Sequence, residues 1–122
     1  MDRLRLKSKR AQRRRLHVRT KVAGTSERPR LTVSKSLRNT TAQLIDDLGG
    51  RTLVYWSTQS PGALPDGQKM TKTEAARIIG KKLAELAVEK GLRRVIFDRN
   101  RYRYHGRIKA VAEGAREGGL EF

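Results

Sequence analysis

Apolar and polar positions alternate in three stretches in the first half of the chain. In Arg30–Ser34, Leu31 and Val33 share a face. In Thr41–Asp46, Ala42 and Leu44 share one and Ile45 takes the other. Arg51–Ser57 carries Thr-Leu-Val-Tyr-Trp at its centre. A period of two, rich in β-branched and aromatic residues, predicts strands. Asp47-Leu48-Gly49-Gly50 reads as a turn, and connections this short predict an antiparallel meander. Tyr55 and Trp56 are neighbours on a strand and so face opposite ways; Trp56 is assigned to the core and Tyr55 to the outside.

The period then changes. Beyond a loop built on Ser60-Pro61-Gly62 and Pro65-Asp66-Gly67, Thr71 and Glu74 have the spacing of a capping box. Ala75, Ile79, Leu83 and Leu86 follow at helical intervals, with Gly91 expected just past the helix end. Gly80 inside this helix costs about 1 kcal/mol relative to alanine, so it is expected to permit a close approach to the sheet. Val95-Ile96-Phe97, within Arg94–Asp98, is a short strand placed parallel to an earlier one by a right-handed crossover. A last helix is expected from Arg107 to Glu117, burying Ile108, Val111, Ala112 and Ala115 and ending at Gly118-Gly119. The fold class is α/β. A small mixed sheet, a three-strand antiparallel meander plus one parallel strand, packs against two helices and carries a basic N-terminal helical arm.

Charge divides the chain more sharply than hydropathy does. Among 122 residues, 29 Lys and Arg face 12 Asp and Glu, a net charge of +17. Residues 1–22 hold ten basic residues and one acid, a surplus of nine; residues 23–122 hold 19 against 11, a surplus of eight. Residues 1–22 therefore form a separate arm and residues 23–122 a single domain, joined by a hinge at 23–29 that Gly24 and Pro29 punctuate. Leu4, Leu6, Leu16 and Val18 make no sustained stripe, so self-repulsion is expected to leave the arm poorly ordered until phosphates neutralise it; it lacks Pro and Gly, so it then forms a helix. A second cluster, Arg99, Arg101, Arg103, Arg107 and Lys109, has no acid within it and interleaves Tyr102, Tyr104 and His105, offering flat rings beside phosphate ligands. A third group is Arg28, Arg30, Lys35 and Arg38. Such a balance points to a polyanion, with nucleic acid first.

Other chemistries find little support. With no cysteine there is no disulfide, thiolate site or Cys nucleophile, and two histidines do not make a three-His zinc site. The longest apolar run, Leu53–Trp56, is far short of the ~20 residues of a membrane span. No apolar stretch follows the basic N-terminus, so no secretory leader is expected; an Arg-rich transit peptide is the rival reading of the arm. No P-loop or Ser/His/Asp constellation is present. Asp46 and Asp98, near strand ends, are the residues a Mg²⁺-dependent nuclease would use, but Asp46-Asp47 reads better as a turn opener and Asp98 as a brace for Arg99 or a neighbouring arginine. An architectural DNA-binding protein is a further alternative. Membrane-surface attachment is disfavoured because the arm lacks a Trp/Phe/Leu-rich face.

The stretch Phe97-Asp98-Arg99-Asn100-Arg101-Tyr102-Arg103-Tyr104-His105-Gly106-Arg107 resembles the F-D-R-G-G-Y-x-Y-H-G-R signature of the bacterial large-subunit ribosomal protein eighteen family. Gly24-Thr25-x-Glu27-Arg28-Pro29-Arg30-Leu31-x-Val33, Ala42–Asp47, Thr52-Leu53-Val54 and the ending Glu113–Phe122 also resemble it, so the likeness runs from about Leu16 to Phe122, leaving little room for a removable presequence. The resemblance implies a small α/β domain with a basic extension. It implies binding to 5S rRNA in the central protuberance of the large ribosomal subunit, joining it to the large rRNA beside another 5S-binding protein, as a monomer in the cytoplasmic ribosome. The chain departs from the family at Asn100-Arg101, where Gly-Gly is usual, and at Ser34 and Thr41, where aromatics are common. Arg101 adds a cation, and the other two changes remove stacking surfaces.

Charge and resemblance together nominate the RNA contacts. On the arm they are Arg5, Lys9, Arg10, Arg13, Arg14, Arg15, His17, Arg19 and Lys21. On the first strand and the turn after it they are Arg30, Lys35, Ser36 and Arg38. In the tail they are Arg99, Arg101, Tyr102, Arg103, Tyr104, His105 and Arg107. No catalytic residue, cofactor or metal is expected.

Overall fold

The computed structural model describes residues 3–19, 24–60 and 70–122; the Pro61–Gly67 turns, Lys21 and the side chain of Arg19 lie outside the described residues. The elements run α1 (Arg3–Arg19), β1 (Arg30–Lys35), β2 (Thr40–Asp46), β3 (Arg51–Ser57), α2 (Lys72–Glu89), β4 (Ile96–Asp98) and α3 (Arg107–Glu117). The sheet order is β3-β2-β1-β4. β1 pairs antiparallel with β2 and parallel with β4, as the predicted α/β arrangement requires. Among the described residues no helix is long and apolar enough to cross a membrane.

The period-two residues build the core. Leu31, Val33, Ala42 and Leu44 are fully buried and meet Ile79 and Leu83 of α2 and Ile108 and Val111 of α3. Tyr55 is 53% exposed and Trp56 leans half-buried on this core, the expected division. α2 opens with both halves of the capping box: the Glu74 amide donates to Thr71 Oγ1 at 3.2 Å, and the Thr71 amide donates to Glu74 Oε2 at 3.1 Å. It ends before Gly91, whose φ of +80° suits glycine at that position.

Gly80 does permit a close approach, but to α3 rather than to the sheet. A Cβ there would run into the Val111 carbonyl, and one on Gly114 would run into the Arg77 carbonyl. The two helices press backbone to backbone through a reciprocal pair of glycines, contacts separated too widely in sequence to show in either helix's own period. Replacing Gly114 with alanine gains about 1 kcal/mol of helix propensity. Forcing the backbones apart costs about 1–3 kcal/mol. Gly114→Ala is therefore expected to be neutral to destabilising by up to about 2 kcal/mol, with Gly114→Val clearly worse, read as a shift of the urea midpoint.

β4 is shorter than the expected Arg94–Asp98 because Arg94 is taken by a different partner, a parallel bridge to Glu121. The C-terminus therefore lies along residues 93–95, and Phe122 stacks on Phe97 with ring centroids 5.6 Å apart.

Candidate nucleic-acid interface

Because β4 ends opposite Thr32, the edge of β1 beyond that residue has no strand partner. Two side chains of the β4–α3 loop take the strand's place. Asn100 Nδ2 donates to the Val33 carbonyl at 3.4 Å. The Tyr102 hydroxyl donates to the Lys35 carbonyl at 3.1 Å and accepts from the Lys35 amide at 3.3 Å. The loop is thereby clipped along a free strand edge that would otherwise be open to pairing.

Asn100 has φ +59°, the left-handed region that glycine enters freely and asparagine better than most residues. That is the physical reason a residue of this kind stands where the resembling family carries glycine. The conformation is held by the Asn100 amide donating to Asp98 Oδ1 at 2.8 Å. At the far end of the loop Gly106, also at φ +59°, starts α3, and Arg107 Nη1 donates to the Ser36 carbonyl at 2.8 Å, tying the helix to the β1–β2 turn.

Asp98 belongs to a buried ionic node. Its Oδ2 accepts from Arg30 Nη1 at 2.6 Å, and the other side of that guanidinium makes two hydrogen bonds to Asp47, at 3.0 and 3.1 Å. The side chains of Arg30 and Asp98 are 6% and 1% exposed. Burial works against the Arg30 charge, but the hydrogen bonds and Coulomb attraction of Asp47 and Asp98 outweigh it and hold its pKa above the usual value. A raised pKa on a base stabilises the fold at every pH below the unfolded value and loses that contribution only as pH rises past the folded one, so Arg30 stays charged through neutral and mildly alkaline pH. Asp47 also accepts from the Gly24 amide at 2.6 Å, while the Asp47 amide donates to the Gly24 carbonyl at 3.1 Å. One guanidinium therefore fastens the point where the arm leaves the domain to the root of the β4–α3 loop.

Around this frame the cations are outward. Arg13, Arg14 and His17 of α1 and Arg99 and Arg101 of the loop line one open concavity of about 280 Å³. Leu4 and Leu16 of α1 are exposed, at 78% and 51%, rather than packed against the body. Glu113 and Glu117 sit beside Arg77 on the helical layer, and Glu121 beside Arg94. Arg5, Lys9, Arg10, Arg15, Arg38, Arg103, Tyr104 and His105 are exposed, and Arg107 is half-buried.

Besides Arg107, tied to Ser36, and Arg99, whose Nη1 donates to the Tyr102 carbonyl at 2.7 Å, three nominated residues have other duties. The Arg30 side chain is 6% exposed and its guanidinium is held by two carboxylates, which gives it a scaffold role. Tyr102 is fixed by its hydroxyl to β1, with Lys35 Nζ 5.4 Å and Arg101 Cζ 5.2 Å from its ring centroid, and acts first as a brace. The Ser36 hydroxyl accepts from the Asn39 amide at 3.1 Å and closes the β1–β2 turn. Asp46 opens its turn as expected, Oδ1 accepting from the Leu48 and Gly49 amides at 3.1 Å each. Asp98 braces an arginine, though Arg30 rather than Arg99. Asn100 stands outside the contacts that charge and resemblance point to, because the positive φ that makes it matter has no signature in composition or charge.

The duties of Tyr102 and Arg103 can be separated. Tyr102→Phe is expected to lower stability by about 0.5–1.5 kcal/mol by freeing the edge groups of Lys35, measured by urea unfolding. Arg103→Ala is expected to leave the midpoint unchanged and to weaken RNA binding alone.

A sequence model described as ribosomal L18 of archaea, bacteria, mitochondria and chloroplast matches residues 5–122. The chain belongs to the ribosomal L18 family. Large ribosomal subunit protein uL18 of Nitratidesulfovibrio vulgaris is 54% identical to it over 110 residues, 90% of this chain and 92% of that one. The protein of the same name from Chloroherpeton thalassium is 55% identical over 113 residues, 93% of each, and that of Thermotoga petrophila 52% over 117, covering 94% and 96%. Members of the L18 family are structural components of the large ribosomal subunit and not enzymes, and these relatives are bacterial, which places the chain in the cytoplasmic ribosome.

Proposed function

We propose that this chain binds 5S rRNA and helps attach it to the large rRNA in the central protuberance, beside a second 5S-binding protein. The observation that carries the proposal is the convergence of arm and loop. Cations from opposite ends of the polypeptide line one concavity, on a frame whose hinge and loop root share Arg30. The mechanism is electrostatic and shape-based: α1 lies along the RNA backbone, and the loop sets Arg99, Arg101 and Arg103 on phosphates with Tyr104 and His105 exposed beside them. The enclosure of Asp98 by Arg30 removes one of the two carboxylates a nuclease mechanism would use.

The test is binding of labelled 5S rRNA in competition with duplex DNA and with fragments of the large rRNA. Tight binding to 5S rRNA that duplex DNA displaces only weakly supports the proposal, because 2′-hydroxyls and irregular shape are then being read. Equal displacement by DNA contradicts it.

A further inference from the structure

A second concavity, of about 360 Å³, opens between the β1–β2 hairpin, the β4–α3 loop and α1. Its lining includes Ser34 and Thr41, which are cross-strand partners. Two small hydroxyl residues side by side on a ladder leave a dip where larger side chains would fill the surface. One wall is Asn100-Arg101-Tyr102, the segment that Asn100 and Tyr102 clip to β1, so this wall is rigid. Arg15 of α1 and Gln59 after β3 also line it. Among the described residues, the Ser34 hydroxyl, the Gln59 side-chain amide and the guanidinium groups of Arg15 and Arg101 make no protein hydrogen bond, although all stand at this cleft.

We infer that the cleft receives one unpaired nucleotide of the bound rRNA, its base splayed out of the helix and read by hydrogen bonds. The inference rests on the RNA-binding reading above and adds the mode of recognition. Unengaged donors and acceptors on a rigid wall suit a planar ligand with a polar edge, and the flanking arginines suit one tethered to phosphates. Arg101 lies over the Tyr102 ring, so a base can continue that stack on the guanidinium plane. Ser34 and Gln59 meet the base edge, and Arg15 takes the adjoining phosphate.

The test couples protein and RNA changes. 5S rRNA carrying a single abasic site at each unpaired position in turn is bound to the full-length wild-type protein and to the double variant Ser34→Ala/Gln59→Ala. Both residues are exposed, and an unchanged urea midpoint confirms that the variant is folded. The variant is expected to bind intact 5S rRNA about tenfold more weakly with an unchanged salt slope, since no phosphate contact is lost. One abasic position is expected to weaken the wild type by a similar factor and to weaken the variant no further. Wild-type affinity in the variant, or additive losses at every abasic position, would overturn the inference. If the wild type binds a large-rRNA fragment and not 5S rRNA, the 5S proposal fails by itself. The same coupling measured on that fragment then supports the cleft, and additivity there overturns it.

Discussion

Arg30→Met is expected to destabilise the domain by about 3–5 kcal/mol, the largest single-residue effect on stability in this molecule. The loss is not the removal of an attraction alone. Asp98 is 1% exposed and has no path to water, so removing the guanidinium leaves a buried carboxylate uncompensated, with Asp47 beside it half-buried. Arg30→Lys is expected to fall in between, because a point charge does not span two carboxylates in the way a planar fork does. Combining Arg30→Met with Asp98→Asn is expected to recover part of the loss by removing the buried charge as well. Urea midpoints read all three. A change below about 1 kcal/mol for Arg30→Met would mean that the carboxylates find water and that the node is no stronger than a surface pair. RNA affinity is expected to fall with stability in this series, because the same side chain holds both the arm's exit and the loop root.

Removal of residues 1–22 has the opposite profile, a large loss of RNA binding on a domain that unfolds as before. The segment contributes ten of the 29 basic residues, and its leucines are exposed rather than packed. If the intact protein neutralises roughly 6–10 phosphates, its affinity falls by about 10³–10⁵ between 50 and 200 mM salt on the duplex-DNA scale, with a gentler slope expected for irregular RNA. Without the arm, the slope of log affinity against log salt is expected to drop by about half or more, while the melting temperature moves by no more than a few degrees. Unfolding of the truncated chain would show instead that the arm is part of the core.

Features governed by short-range rules were legible in the sequence. The Thr71–Glu74 box, the alternation through Leu31 and Val33 and the end of α2 at Gly91 each depend on residues a few positions apart. What was not legible depends on partners brought together by folding. Basic neighbours group Arg30 with the cations expected to face RNA, but its two carboxylates lie 17 and 68 residues away. Gly80 announced a close approach without saying to what, and only the crossing with Gly114 decides it. The arginine neighbours of Tyr102 point to a stacking ring, whereas the free edge of β1, a consequence of where β4 stops, turns its hydroxyl into a brace. Of the candidate site, the two cationic clusters were visible as composition; the shared frame that aims them was not.

Convergence of those clusters on one RNA is tested most directly by site-directed cleavage. The chain has no cysteine, so a single one introduced by Arg13→Cys or by Arg103→Cys carries an iron chelate that cuts nearby RNA. Overlapping cuts from the two positions within one short region of 5S rRNA are the expected result. Cuts from one position only, or from the two positions in separate RNAs, would contradict it.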